Sequence, residues 1–187
     1  MNPILDAADE LQRFLLGSKL PFCFIGGIAV LRWGRPRTTQ DVDVSLFVTS
    51  KNENQIVNSI LERFRARISD AHAFALQNRV VLAVSTNQVA LDIALAQFEF
   101  EKQIIDRATP FAYANNVTLT TVSADDLVVM KSFAGRDQDW LDVEGIVATQ
   151  KLNRPWILEQ LSLLSELQPE NDALTRLEKI FRQSPAT

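Results

Sequence analysis

The sequence predicts an α/β fold in two parts, a core over residues 1–123 in which helices and strands alternate and a helical region over residues 124–187. Three observations lead there. Apolar positions recur with helical spacing in some segments and every second residue in others as far as Val122, and only helical spacing follows from Ala124. Glycines, prolines and polar clusters separate these segments at short intervals. The length of 187 residues, with 47% hydrophobic and 22% charged, suits one globular domain or a domain with an appendage.

Residues 4–16 have the pattern of an amphipathic helix with Leu5, Ala8, Leu11 and Leu15 on one side. A strand over 21–25, a helix over 27–33 and a strand over 40–48 follow. Ser50-Lys51-Asn52-Glu53 has the form of a capping box and predicts a helix to about Phe64. Residues 80–84 and 89–95 read as strands joined by the polar turn Ser85-Thr86-Asn87-Gln88, and 117–122 as a last strand. Ser123, with Asp126 three positions on, predicts a helix start. Breaks in the helical region are expected at Gly135, at Asn153-Arg154-Pro155 and at Pro169.

The stretch from Phe24 to Leu46 is richest in chemistry. Gly26 and Gly27 end an apolar strand, and the next strand begins Asp41-Val42-Asp43-Val44. Strand side chains alternate faces, so Asp41 and Asp43 point the same way. Adjacent carboxylates repel unless a cation lies between them. Mg²⁺, a hard ion held by one or two carboxylates together with phosphates, meets that need, and Mn²⁺ is the alternative. Gly26 and Gly27 let backbone N–H groups approach a phosphate at a helix N-terminus. Together these residues suggest phosphoryl or nucleotidyl transfer from an NTP. Taken singly, an Asp-x-Asp pair is common on solvated strands and a glycine pair usually marks a turn.

The segment resembles the signature of the DNA polymerase beta-like nucleotidyltransferase superfamily, whose members carry a Gly-Gly or Gly-Ser pair before an Asp-x-Asp or Asp-x-Glu strand. Here Gly27 takes the position often held by Ser. The resemblance implies the nucleotidyltransferase fold, a mixed sheet flanked by helices, and a third acidic residue from a later strand. Asp92 fits that place, since Ala90, Asp92 and Ala94 share one face of a strand whose other face is Val89, Leu91, Ile93 and Leu95. By the resemblance, Asp41, Asp43 and Asp92 are the catalytic and metal-binding residues, and Asp92 acts as base toward the acceptor hydroxyl. Arg37-Thr38-Thr39-Gln40-Asp41 resembles an Arg-x-Thr-x-Asp arrangement of the AbiEii-like toxins. The block from Asp126-Leu127 through Lys131, Arg136, Asp139 and Asp142 is similar to a pattern of the AbiEii and MenT-type nucleotidyltransferases of toxin–antitoxin systems. That similarity covers roughly residues 20–150. It implies Arg37, Thr39 and Lys131 as nucleotide contacts beside Gly26 and Gly27, a tRNA 3′ end or other RNA as acceptor, and a cognate antitoxin as partner. Arg136, Asp137 and Asp139 read equally as substrate contacts or as ion pairs bracing two helices.

Charge and cysteine usage narrow the setting. A net charge of −4 excludes a broadly basic nucleic-acid binder, yet Arg32, Arg35 and Arg37 form a local basic cluster. The single His72 disfavours histidine-ligated zinc and a Ser-His-Asp triad, and with them an Asp-rich hydrolase. The lone Cys23 lies in an apolar run and predicts a buried, inert thiol in a reducing, cytoplasmic setting, with no membrane segment and no signal peptide. Trp33 reads as a core residue. The alternative to an enzyme is a non-catalytic member of the same fold that binds nucleotide or a partner.

Overall fold

Asn2 opens the first helix by accepting the Ile4 N–H on its side-chain oxygen at 3.0 Å. Pro3 occupies the first turn, where its missing N–H costs nothing. Helix α1 (Pro3–Gly17) then buries Leu5, Ala8, Leu11 and Leu15 on the expected side. The structure, a computed structural model, describes residues 2–113, 117–166, 170 and 172–184. The helix break expected at Pro169 lies outside them. The chain divides into two compact units, one of Met1–Ile28 with Thr38–Val122 and one of Ala29–Arg37 with Ser123–Thr187.

The first unit carries a seven-stranded mixed sheet among the described residues. In chain order its elements after α1 are β1 (Phe22–Phe24), α2 (Gly26–Trp33, which the division crosses), β2 (Asp41–Phe47), α3 (Glu53–Arg63), β3 (Arg65–Ala66), α4 (Ala71–Asn78), β4 (Val80–Val84), β5 (Ala90–Ala96), α5 (Glu99–Asp106), β6 (Thr109–Ala112) and β7 (Thr118–Thr121). The strand order is β3-β4-β5-β2-β1-β7-β6. Strand β2 runs antiparallel to β1 and parallel to β5, while β1 runs parallel to β7. Val42, Val44 and Leu46 of β2 and Leu91, Ile93 and Leu95 of β5 enter a core shared with Leu11, Leu15, Ile56 and Ile60. The predicted α/β class with a mixed sheet is therefore the observed one.

Several local expectations differ. The capping box at 50–53 is not made, because Asn52 turns its side-chain oxygen back to accept the Thr49 N–H at 2.7 Å, and Glu53 pairs with Arg79 instead. Trp33 is half-buried, with the Arg32 guanidinium 3.9 Å over its ring, rather than a core residue. Four elements lack a sequence expectation: β3, α4, α5 and β6. Strand β6 contains Pro110 and lies at the sheet edge, the place where a strand tolerates a missing N–H.

The second unit is helical, with α6 (Ala124–Ala134), α7 (Asp137–Thr149), α8 (Arg154–Ser165) and α9 (Ala173–Gln183). Ser123 caps α6 by accepting the Asp126 N–H at 3.1 Å. Gly135 ends α6 at a φ of 67°, the left-handed conformation that glycine takes without strain. Asn153 caps α8 from its side chain, with Pro155 in the first turn. Leu127, Val128, Val143, Ile146, Ile157, Leu161 and Leu177 are buried in this unit. No helix among the described residues is long and apolar enough to cross a membrane.

Candidate functional site

The parallel pairing of β2 with β5 builds the acidic centre. Its register sets Asp43 opposite Asp92 and Asp41 opposite Ala90. Partners in register share a face of the sheet, so all three carboxylates rise from one side. Along β2, Asp41 and Asp43 alternate with buried Val42 and Val44, and along β5, Asp92 stands between buried Leu91 and Ile93. The apolar residues anchor each strand and leave the acids half-buried on the opposite face. One carboxylate oxygen from each of Asp41, Asp43 and Asp92 lies within 4.8 Å of the other two. Three oxygen donors at that spacing suit a hard divalent ion, whose ligand distances run roughly 2.0–2.6 Å. Packed hydrocarbon under each strand keeps the donors from spreading apart to relieve their repulsion.

The glycine pair is what allows β2 to come so close. Gly26 has a φ of +55°, and a Cβ there would collide with the Asp43 carboxylate. A Cβ on Gly27 would collide with the Thr39 side chain. Thr39 uses the space to donate its hydroxyl to the Asp41 carboxylate at 3.1 Å. The Ile25 N–H donates to the Asp43 carbonyl at 3.0 Å, fixing β2 beside the start of α2. Gly26→Ala therefore meets two penalties, the left-handed backbone, at about 1–2 kcal/mol, and a displaced Asp43. The expected outcome is weaker divalent-ion binding together with a melting point lowered by a few degrees, read by Mn²⁺ titration and thermal denaturation.

Arg67 is a member of this centre that sequence reading missed. Its guanidinium forms an ion pair with the Asp92 carboxylate. Burial, the largest influence, raises the Asp92 pKa, the Asp41 charge raises it further, and Arg67 pulls it back only in part. The net direction is upward, which fits a carboxyl placed among other acids. The signal for Arg67 was weak in the sequence because β3 is two residues long and Arg67 lies just past its end.

The second unit holds a separate network of charged side chains. Lys131 is buried and donates to Asp139 at 2.9 Å and to Asp142 at 2.8 Å. Arg37 grips Asp142 with two parallel hydrogen bonds of 2.8 and 3.0 Å, a strong bidentate geometry. Arg136 donates to Asp139 at 2.6 Å, and Gln138 to Asp142 at 3.2 Å. The Arg35–Arg37 segment packs closely on Gly145 of α7, one turn beyond Asp142, where a Cβ would lie 3.2 Å from the Arg35 nitrogen. Each aspartate thus answers two cations, and Lys131 links the pair.

Burial alone would raise the Asp139 and Asp142 pKa values. Hydrogen bonds and charge from Arg136 and Lys131, and from Arg37 and Lys131, outweigh it and hold both below the ordinary carboxylate range. A depressed folded-state pKa contributes stability that is complete above the unfolded value of about 3.9 and is lost as pH falls through the folded value. The melting point is therefore expected to drop on acidification below about pH 4. Calorimetric scans of Asp139→Asn/Asp142→Asn should show a shallower acid dependence from a lower starting stability.

The sequence-derived candidates thus fall into two groups. Gly26, Gly27, Thr39, Asp41, Asp43 and Asp92 lie in the first unit, where the glycines, the threonine and the acids are in mutual contact or close approach. Arg37 and Lys131 lie in the second, both on Asp142.

Comparison with known proteins supplies the context. The model of a family described as nucleotidyltransferase of unknown function (DUF6036) matches residues 4–172. Among solved structures, an antigenic nucleotidyltransferase-like protein from Paracoccidioides brasiliensis is similar at 15% identity and a TM-score of 0.57, over 93% of this chain and 93% of that one. At that identity the likeness is one of fold. The lincomycin-bound lincosamide antibiotic adenylyltransferase LnuA matches at 12% identity and a TM-score of 0.47, over 73% of this chain and 92% of that one. The antibiotic-resistance factor ANT(2'')-Ia matches at 20% identity and a TM-score of 0.42, over 97% and 88%. No curated protein sequence gives a significant match.

Proposed function

The chain belongs to the DUF6036 family of nucleotidyltransferases, and from that premise we propose that it moves a nucleoside monophosphate from an NTP to an acceptor hydroxyl at Asp41, Asp43 and Asp92. The observation that supports this assignment is the convergence of three carboxylate oxygens within 4.8 Å from two adjacent strands. Mg²⁺ is the proposed ion and Mn²⁺ its substitute, as the all-oxygen donor set favours hard cations. Bound there, the ion supplies charge neutralisation on the phosphates and on the attacking oxygen.

The residues divide the work. Asp41 and Asp43 would hold the ion that neutralises the triphosphate, with the Thr39 hydroxyl fixing the orientation of Asp41. Backbone N–H groups at Gly26 and Gly27, at the start of α2, offer hydrogen bonds to phosphate oxygens. Asp92 takes the proton of the acceptor hydroxyl as its oxygen bonds to the α-phosphorus. The bond from that phosphorus to the bridging oxygen breaks, and pyrophosphate departs. Arg37 and Lys131 are proposed as further nucleotide contacts on the strength of the toxin-like motif, with their aspartate partners holding them in place.

The proposed acceptor is a tRNA 3′ end, in a toxin–antitoxin setting with a cognate antitoxin protein, inside the reducing cytoplasm where the buried Cys23 stays a thiol. The block from Asp126 to Asp142, similar to AbiEii and MenT-type enzymes, supports that choice. It is tested by incubating the protein with each α-³²P-labelled NTP, Mg²⁺ and either total tRNA or tRNA with an oxidised 3′-terminal ribose. Label on intact tRNA that disappears after oxidation supports the assignment. Label that goes instead to a protein or to a small hydroxylated compound in lysate would replace the acceptor while keeping the reaction.

A further inference from the structure

Arg67 is placed by the sheet itself. Its N–H donates to the Leu82 carbonyl at 3.0 Å, carrying the pairing of β3 with β4 one residue past Ala66. Leu82 in turn stands opposite Asp92 in the register of β4 with β5. Arg67 therefore starts two strands from Asp92 at the same level, and its side chain spans β4 to reach the carboxylate. Both side chains stay accessible, at 30% for Arg67 and 34% for Asp92. Asp92 is also the acid through which Asp41 and Asp43 complete the three-oxygen cluster.

We infer that Arg67 is a resident counter-cation of the third carboxylate and competes with the divalent ion for Asp92. This rests on the reading of the acidic cluster as a metal site. The guanidinium already engages one Asp92 oxygen and offsets the charge of that carboxylate, so a metal ion bound there meets a partly neutralised ligand and a second cation close by. An ion held mainly by Asp41 and Asp43 loads with little influence from Arg67, whereas an ion that requires Asp92 works against the guanidinium charge. Arg67 thus weakens and orders metal loading, and the Asp92-dependent site fills last.

The test is a Mn²⁺ titration of the full chain by electron paramagnetic resonance, with Arg67→Ala, Arg67→Gln, Arg65→Ala, Asp43→Asn, Asp92→Asn and Arg67→Ala/Asp92→Asn beside the parent. Arg65→Ala removes an equal charge from the neighbouring strand position, where the side chain meets Gln88 rather than an acid. Loss of a half-exposed pair predicts about fivefold tighter Mn²⁺ binding in both Arg67 variants and no more than about twofold change in Arg65→Ala. The gain should vanish in the Asp92→Asn background. Arg67→Gln, with a polar side chain, carries the test if circular dichroism shows Arg67→Ala misfolded. Arg67 variants that match Arg65→Ala, that bind more weakly, or that keep their gain without Asp92 overturn the inference while leaving the metal site standing. A parent that binds Mn²⁺ no better than Asp43→Asn overturns the metal site and the inference with it.

Discussion

Asp43→Asn should cut nucleotidyl transfer by about 10³-fold while leaving the protein folded. The substitution keeps the side chain's shape and its place opposite Asp92, so the β2–β5 pairing survives. It removes the charge at the middle of the cluster, on which both the ion and its phosphate ligands depend. Loss of one electrostatic stabiliser in a preorganised site typically costs about 10²–10³-fold in rate, and a lost metal ligand belongs at the upper end of that range. Relief of repulsion among three acids makes the expected melting point equal to or slightly above that of the parent. Label transfer measured beside a thermal melt checks both halves. Residual transfer within about tenfold of the parent would mean that Asp43 does not hold the ion.

Lys131→Met should have the opposite signature, a large loss of stability. The ammonium lies between Asp139 and Asp142, all three side chains being 7% exposed or less. Removing it leaves two buried carboxylates, each with one cation fewer. Breaking a buried pair from one side costs about 3–5 kcal/mol, which for a chain of this size is roughly 6–20 °C in melting temperature. Pairing Lys131→Met with Asp139→Asn should recover part of the loss, because one of the uncompensated charges goes too. An unchanged melting point would mean that the two carboxylates do not depend on the ammonium, while nucleotide affinity reduced more than tenfold in the folded variant would support the proposed contact of Lys131 with the nucleotide.

How much of this was legible before the structure depends on the range of the forces involved. The α/β class and the β2 and β5 strands follow from local alternation, since Val42, Val44, Leu91 and Ile93 must be buried whatever else the chain does. The same alternation puts Asp41 with Asp43, and Asp92 with Ala90 and Ala94, on polar faces. Pairing of those faces is a matter of sheet order, which periodicity does not encode. The expectation that Asp92 joins the other acids came from the family resemblance. The capping box at 50–53 shows the reverse failure, a valid local motif overridden when Asn52 closed the turn after β2. Strand β3 and Arg67 were invisible for a simple reason. A two-residue strand has no period to detect, and its significance lies in a partner 25 positions away.

The partners of Lys131 could be read as residues but not as contacts. Asp139 and Asp142 lie three apart on α7 and so share a helix face, which explains how one ammonium reaches both. Nothing in the spacing alone says that this face turns toward α6. That orientation comes from burial of Trp140, Val143 and Ile146 in the second unit.

The most direct test of the central claim is anomalous diffraction from crystals grown with Mn²⁺ and the non-hydrolysable α,β-methylene analogue of the NTP that labels acceptor best. A manganese peak bounded by carboxylate oxygens of Asp41, Asp43 and Asp92, with triphosphate oxygens completing its shell, is the predicted result. A peak held by other residues, with the three aspartates unligated beside bound nucleotide, would contradict it.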